Sequence, residues 1–217
     1  MQIALESSPM SLDLLKLLRF LVPGFLVVAG WALLGNFTGD WKVDTPLIPE
    51  TLGKTAPAII VAVLYYAFPS FRQWANRRNH DEVKANITEG LIDIGGGDAG
   101  SVKADWKNIR PIFYRIVNSD QSLMTQSKRA MFNGLLWTSV ADLKVISIGY
   151  AIVSTIYHFA FGSQGALIGL ALSVFIAVAT IPISRSLTKQ HKEIGDKQLD
   201  IIRKFHSKEL REYFEDE

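Results

Sequence analysis

The sequence predicts an all-α integral membrane protein with four transmembrane helices. Three stretches contain no Asp, Glu, Lys or Arg; they cover residues 20–39, 55–71 and 145–184 and are 20, 17 and 40 residues long. A membrane-spanning helix needs about 20 mainly apolar residues, so the first two stretches hold one span each and the third holds two. Outside these stretches, apolar residues recur at helical spacing. The overall hydrophobic fraction of 48% by itself would fit a soluble domain.

The predicted spans follow from these uncharged stretches. Buried helices of a soluble core usually carry a polar stripe that faces water. The last span has only two hydroxyl side chains, Ser173 and Thr180, which favours a lipid-facing helix. Glu6 and Asp13 precede the first span, and no cleavage motif follows it, so we expect a retained anchor rather than a signal peptide. The four spans are residues 20–37, 56–71, 143–161 and 165–183.

The distribution of basic residues predicts the orientation. Of the 23 Lys and Arg residues, 21 lie in the leader, between spans two and three, or after span four; Lys42 and Lys54 are the exceptions. Basic residues near span ends favour the cytoplasm. We therefore expect a multi-pass membrane protein with both termini and the segment between spans two and three in the cytoplasm. The absence of cysteine fits a reducing or bacterial setting.

The chain is predicted to have four parts. Residues 1–71 form the leader and the first two spans, residues 72–140 a cytosolic helical insert, residues 141–184 the last two spans, and residues 185–217 a cytosolic C-terminal amphipathic helix. The insert is expected to extend spans two and three. The apolar stripe of the C-terminal helix comprises Ile194, Ile201, Ile202, Phe205, Leu210 and Tyr213.

Within the insert, a first helix over residues 73–94 ends at the glycine-rich segment 95–100. A second covers residues 103–117, where Pro111 begins a new helix or kinks this one. A third begins near residues 119–122, with Ser119 or Ser122 as its N-cap. A phosphate-binding loop is another interpretation of the glycines. It is less favoured, because the G-K-[ST] ending is missing and no parallel strand precedes the segment.

No pattern in the sequence predicts catalysis, a metal or a cofactor. The four histidines, at positions 80, 158, 191 and 206, are not spaced as a helical metal-binding pair. No known hydrolase, zinc-protease or phosphate-loop motif is present. We predict that the chain is not an enzyme. The alternative, a membrane-embedded enzyme, would depend on His80, His158 or Asp142.

Several residues are candidates for conformational change or assembly. Pro23 and Gly24 in the first span predict a hinge. Asp142 and Lys144 flank the start of the third span, and Asp142 is expected to pair with Lys16 or Arg19 if that span begins earlier. Small residues recur every fourth position along the fourth span, a spacing that lets helices approach closely within or between chains. They are Gly165, Gly169, Ser173 and Ala177.

The expected partners are the lipid bilayer, further copies of the chain and a cytosolic protein. Between residues 72 and 140 there are ten basic and seven acidic residues, a balance too even to favour nucleic-acid binding. Basic and aromatic residues of the insert are candidates for the cytosolic interface. They are Arg77, Arg78, Trp106, Arg110 and Arg115.

The layout resembles a known family. Four spans, the sequence from Arg19 to Pro23-Gly24 and an insert between spans two and three resemble small bacterial four-pass proteins of antiphage defence systems, the family of the Kiwa membrane subunit. The resemblance implies a non-catalytic inner-membrane oligomer that senses infection or membrane disturbance and acts with a cytosolic partner. It assigns no functional residues. A pore-forming or ion-conducting membrane effector is the alternative function.

Overall fold

The computed structural model describes residues 12–39, 60, 63–65, 67 and 70–215, and 93% of it is helical, with no strand among these residues. The helices are α1 (Leu12–Thr38), α2 (Ser70–Gly95), a short 3-10 turn (Val102–Ala104), α3 (Trp106–Ser119), α4 (Gln121–Phe161), α5 (Gln164–Phe205) and α6 (Ser207–Glu215). The predicted all-α class is therefore confirmed for the described residues.

Three described helices are long and apolar enough to cross a membrane: α1, α4 and α5. Their most apolar windows have mean hydropathies of 2.0, 1.4 and 2.5. The 41 and 42 residues of α4 and α5 correspond to about 62 Å of helix, twice the roughly 30 Å of a bilayer's hydrocarbon core. Each of these two helices thus has room for a membrane span and for a comparable length outside it.

The predicted second span, residues 56–71, falls largely outside the described residues. Its described positions before α2 are Ile60, residues 63–65 and Ala67, all of them helical. The number of four spans therefore remains a prediction, whereas a multi-pass arrangement is compatible with the three apolar helices.

The chain divides into two compact units. The first comprises the chain up to Asn76 together with Leu135–Ser184, and is called the apolar unit below. It contains α1, the start of α2, the later part of α4 and the earlier part of α5. In it, α1 packs on both other long helices: the Tyr150 hydroxyl donates a hydrogen bond to the Val27 carbonyl, and Gly165 lies against the Phe37 backbone.

The second unit, called the polar unit, comprises Arg77–Gly134 and Arg185–Glu217. The two segments build one core together. Apolar side chains of α2, α3, α4, α5 and α6 meet in it. Burying such side chains contributes about 1.5–3 kcal/mol each. The core is formed by Ile87, Leu91, Ile94, Ile109, Ile112, Phe113, Ile116, Val117, Leu123, Leu199, Ile202, Leu210 and Phe214.

The helix ends in the polar unit differ in part from expectation. α2 ends at Gly95 as predicted, and Gly96 takes a φ of 70°, a left-handed conformation that suits glycine. Pro111 neither begins a helix nor separates two, since it lies inside α3. The N-cap of α4 is Asp120: its Oδ1 accepts from the Ser122 and Leu123 amides at 2.7 and 3.1 Å.

The prediction of Ser119 or Ser122 as that cap is therefore wrong. Ser119 is the last residue of α3 and its hydroxyl donates to the Ile116 carbonyl. The longer Asp side chain between the two serines reaches the free amides of the first turn, and its negative charge favours a helix N-terminus.

The C-terminal segment is not one amphipathic helix starting at Arg185. α5 continues without interruption from Gln164 to Phe205, and a turn at His206 separates it from α6. Ile202 and Leu210 of the predicted stripe are fully buried. Phe205, the last residue of α5, is 65% exposed and lies outside the core, so this part of the predicted stripe is wrong.

Candidate functional site

A buried carboxylate lies near the start of the apolar part of α4. Asp142 is 1% exposed and lies three residues before the uncharged stretch 145–184. Burying an unpaired charge costs far more free energy than a folded protein has in reserve, so a buried carboxylate requires partners. Ionisable residues at or near membrane depth are functional candidates for the same reason.

Arg72 of α2 supplies a two-point contact. Its Nε donates to Asp142 Oδ1 at 2.7 Å and its Nη2 donates to Oδ2 at 2.8 Å. The planar guanidinium matches both carboxylate oxygens, a geometry that lysine cannot provide. The Tyr65 hydroxyl donates to the same Oδ1 at 3.0 Å, and the Arg72 guanidinium lies 5.3 Å from the Tyr65 ring centre. Asp142, Arg72 and Tyr65 are called the Asp142 site below.

The partner of Asp142 differs from the expected one. The sequence suggested Lys16 or Arg19, whereas Arg72 makes the two-point contact. Arg19 of α1 is near enough for its positive charge to act on Asp142. Two chain segments that are far apart in sequence, α1 and α2, therefore have positively charged side chains near this carboxylate of α4.

A further cation, Lys144, lies in the same unit. The Lys144 ammonium is 5.7 Å from the ring centre of Trp74, a cation–π contact, and Trp74 is 65% exposed. Tryptophan and lysine at such positions are typical of the membrane–water boundary. The pair is consistent with a boundary close to Asp142.

The predicted small residues of α5 contribute to packing within the chain. A side chain at Gly165 would overlap the Phe37 carbonyl of α1, and one at Gly169 would lie 3.1 Å from the Ser154 Oγ. Ser173 is buried. Ala177 lies farther along α5, in the wall of an apolar groove formed with α4. These four residues therefore do not form one surface.

The predicted hinge residues lie inside a continuous helix. Pro23 and Gly24 are both buried, and α1 is helical from Leu12 to Thr38. Close contacts of α1 follow within the next two turns, where the Tyr150 hydroxyl donates to the Val27 carbonyl and a side chain at Gly30 would overlap the Tyr150 ring.

The glycine-rich segment, residues 95–100, packs against an aromatic side chain of α6. A Cβ at Gly95 or Gly97 would collide with the Phe214 ring of α6. Phe214 is 9% exposed and belongs to the core of the polar unit. The glycines thus make room for a phenyl ring, which accounts for their number without a phosphate ligand.

The predicted interface residues of the polar unit do not form one site. Arg77 and Arg110 are exposed, and Arg78 forms an exposed ion pair with Glu82. Arg115 joins α3 to α6 through Glu209, at 2.8 Å. Trp106 packs on the core beside Phe113. Two of the five residues therefore stabilise the unit itself.

Two titratable groups of the polar unit have shifted pKa values. Hydrogen bonds from the Leu123 amide and from His206 lower the pKa of Asp120. Burial lowers the pKa of His191, and the charge of His80 lowers it further. His191 Nδ1 lies 3.0 Å from the Asn133 Nδ2, so it accepts this hydrogen bond in the neutral ring. Among the described residues, no group of three or more His, Asp or Glu side chains is arranged to hold a metal ion.

Comparison of the chain with protein-family models, with curated proteins and with solved structures gave no match. The candidate site therefore rests on its own geometry. The Asp142 site was only partly visible in the sequence: Asp142 stood out beside an uncharged stretch, but nothing identified Arg72 as its partner.

Proposed function

We propose that this chain is a non-catalytic, oligomeric subunit of the bacterial inner membrane that senses a disturbance of the bilayer, such as phage infection. It regulates a cytosolic partner through the polar unit. In this proposal the chain crosses the membrane four times and its termini and polar unit lie in the cytoplasm. The observation that carries the proposal is the Asp142 site, a buried charge held where the apolar part of α4 begins.

The continuity of the helices supports the proposal. α4 and α5 each contribute residues to both units without a break. A change in the position or tilt of their apolar parts is therefore passed along the helix itself. Helix tilt responds to bilayer thickness at a modest free-energy cost, which is the kind of input a membrane sensor needs.

The distribution of charge supports the orientation. All eight basic residues after Ser184 and ten of the eleven from Arg72 to Lys144 precede or follow the apolar parts of α4 and α5. The remaining one, Lys144, is the second residue of the predicted third span. Basic residues at span ends are retained in the cytoplasm. The resemblance in layout to the Kiwa membrane subunit family agrees with this orientation and with an antiphage role.

The free-energy cost of burying the ion pair between Arg72 and Asp142 supports a conformational role. An apolar replacement of similar volume often stabilises a protein as well as a buried pair does, so such a pair is weak evidence for stability alone. The Asp142 site joins α2 to α4 by one two-point contact, which is either made or broken. A contact of this kind suits a two-state element whose populations the bilayer shifts.

The experiment compares Arg72→Gln with Arg129→Gln in cells that carry the gene for this chain together with the gene next to it. Both variants lose one arginine, but Arg129 is an exposed residue of α4 outside the predicted cytosolic interface. We expect the wild type and Arg129→Gln to protect against phage and to co-purify, as oligomers, with a cytosolic protein. Arg72→Gln should insert into the membrane normally and lose the change in partner binding that infection causes.

Three results would contradict the proposal. The first is a monomer with no co-purifying protein in mild detergent. The second is equal protection by Arg72→Gln and the wild type. The third is rapid ion flux through vesicles that contain only this chain, which would indicate a pore-forming effector instead.

A further inference from the structure

An apolar groove runs along the apolar unit between α4 and α5. It has a volume of about 480 Å³ and is open on one side. Several of its side chains are strongly exposed: Ile156 is 62% exposed and Val178 is 57% exposed. Its main lining residues are Lys144, Ile148, Ile152, Ile156, Val174 and Val178.

The groove has the length of a single acyl chain in one leaflet. From Lys144 to Ile156 the helix rises about 18 Å, and one leaflet of hydrocarbon is about 15 Å thick. Ala151 and Ala177 line the groove between the larger aliphatic residues and leave space there. An extended hydrocarbon chain fits such a channel better than a helix, which is about 10 Å wide.

The single charged residue among those that line the groove lies at its polar end. Lys144 is half-buried, and its ammonium faces the Trp74 ring. Within the described part of the chain it forms no ion pair with a carboxylate. A cation at the headgroup end of an apolar channel is complementary to a lipid phosphate.

We propose that this groove binds one acyl chain of an anionic phospholipid whose phosphate is bound by Lys144. The lipid lies in the leaflet on the side of Asp142, and its headgroup lies near Trp74. This inference does not depend on the sensing role, since the groove and Lys144 are present whatever the chain regulates.

The test uses the full-length chain in mild detergent with equal amounts of phosphatidylglycerol and phosphatidylcholine, and native mass spectrometry to count the bound lipids. We expect the wild type to retain one phosphatidylglycerol in preference to phosphatidylcholine. Lys144→Gln should lower that preference about fivefold, the effect of one lysine near an anionic lipid. Val178→Trp, which fills the groove from an exposed position, should lower the retention of both lipids.

Matched controls separate the site from general effects. Lys189→Gln removes an exposed lysine, and Val153→Trp adds the same bulk on α4 outside the groove; both should behave as the wild type. Equal retention of the two lipids by the wild type would overturn the proposal, as would equal effects of Lys144→Gln and Lys189→Gln. Since the chain has no cysteine, Ile152→Cys gives a single-cysteine protein. A disulfide between two such chains in the membrane would show that another copy occupies the groove, which also overturns the proposal.

Discussion

Arg72 and Asp142, 70 residues apart in sequence, form a two-point ion pair in which both guanidinium–carboxylate distances are below 2.9 Å. Tyr65 donates a third hydrogen bond to the same carboxylate. Removing one member of a buried pair leaves the other charged and without its partner, which is more destabilising than losing the pair as a whole.

We therefore predict that Asp142→Leu destabilises the chain by about 3 kcal/mol and that Arg72→Met/Asp142→Leu recovers most of this loss. The measurement is a double-mutant cycle of unfolding free energies for the full chain in detergent. Arg78→Met/Glu82→Leu serves as the exposed control and should change stability by less than about 0.5 kcal/mol. A double variant as unstable as the sum of the single ones would argue against a coupled pair.

Close packing of α1 on α5 predicts a difference between two glycines. Gly165→Ala places a methyl group onto the Phe37 backbone, whereas an added Cβ at Gly149 meets nothing within 4 Å. The first substitution should cost about 1–3 kcal/mol by overpacking, and Gly149→Ala should be neutral or slightly stabilising. Thermal unfolding of the two variants in the same detergent provides the comparison. Equal melting temperatures would mean that α1 does not contact Gly165.

The burial of Phe214 predicts that removing its ring destabilises the polar unit. Phe214→Ala empties the space beside Gly95 and Gly97 and should cost about 3 kcal/mol. Phe205→Ala removes the same ring from a position that is 65% exposed and should cost less than about 0.5 kcal/mol. Hydrogen exchange of α3 amides in the full chain measures the effect, since faster exchange is expected in Phe214→Ala alone. Unchanged protection in both variants would contradict the packing of α6.

Burial of His191 predicts a loss of stability in acid. Its pKa is lowered in the folded chain, so the unfolded chain binds the proton more readily. Above the ordinary value of 6.5 both states are neutral at this residue. As the pH falls through that value, protonation favours the unfolded state, and this continues until the folded pKa is reached.

We expect protection of α3 amides to decrease from pH 7 to pH 5 in the wild type, after correction for the intrinsic rate. The protection of these amides should decrease less in His191→Gln. The difference between the two curves separates the effect of His191 from that of other titrating groups. His158→Gln, in the apolar unit, should follow the wild type. Parallel curves for His191→Gln and the wild type would show that His191 titrates normally.

The sequence predicted the helices better than it predicted their contacts. A stretch of 20 or more residues without charge has few stable structures other than an apolar helix, so α1 and the apolar parts of α4 and α5 were found from the sequence alone. The end of α2 was also found, because glycine marks a helix C-terminus by its own backbone preference.

Contacts between distant residues were not predictable in the same way. Any of several arginines could neutralise Asp142, and only the packing of α2 on α4 selects Arg72. Nothing in the sequence around Gly95 and Gly97 indicated that they contact Phe214, which lies 117 residues after Gly97. The cap of α4 was missed by one position, because Ser119, Asp120 and Ser122 all have side chains that suit an N-cap.

The core of the polar unit has a consequence for biogenesis. Residues 77–134 are synthesised before the last two apolar segments, yet their apolar faces are completed by Leu199, Ile202, Leu210 and Phe214. This unit therefore cannot fold cotranslationally from its first segment, and it must wait until both later apolar helices have left the ribosome. A chain that stalls before residue 199 leaves residues 77–134 without their core partners. Such a chain is open to proteolysis.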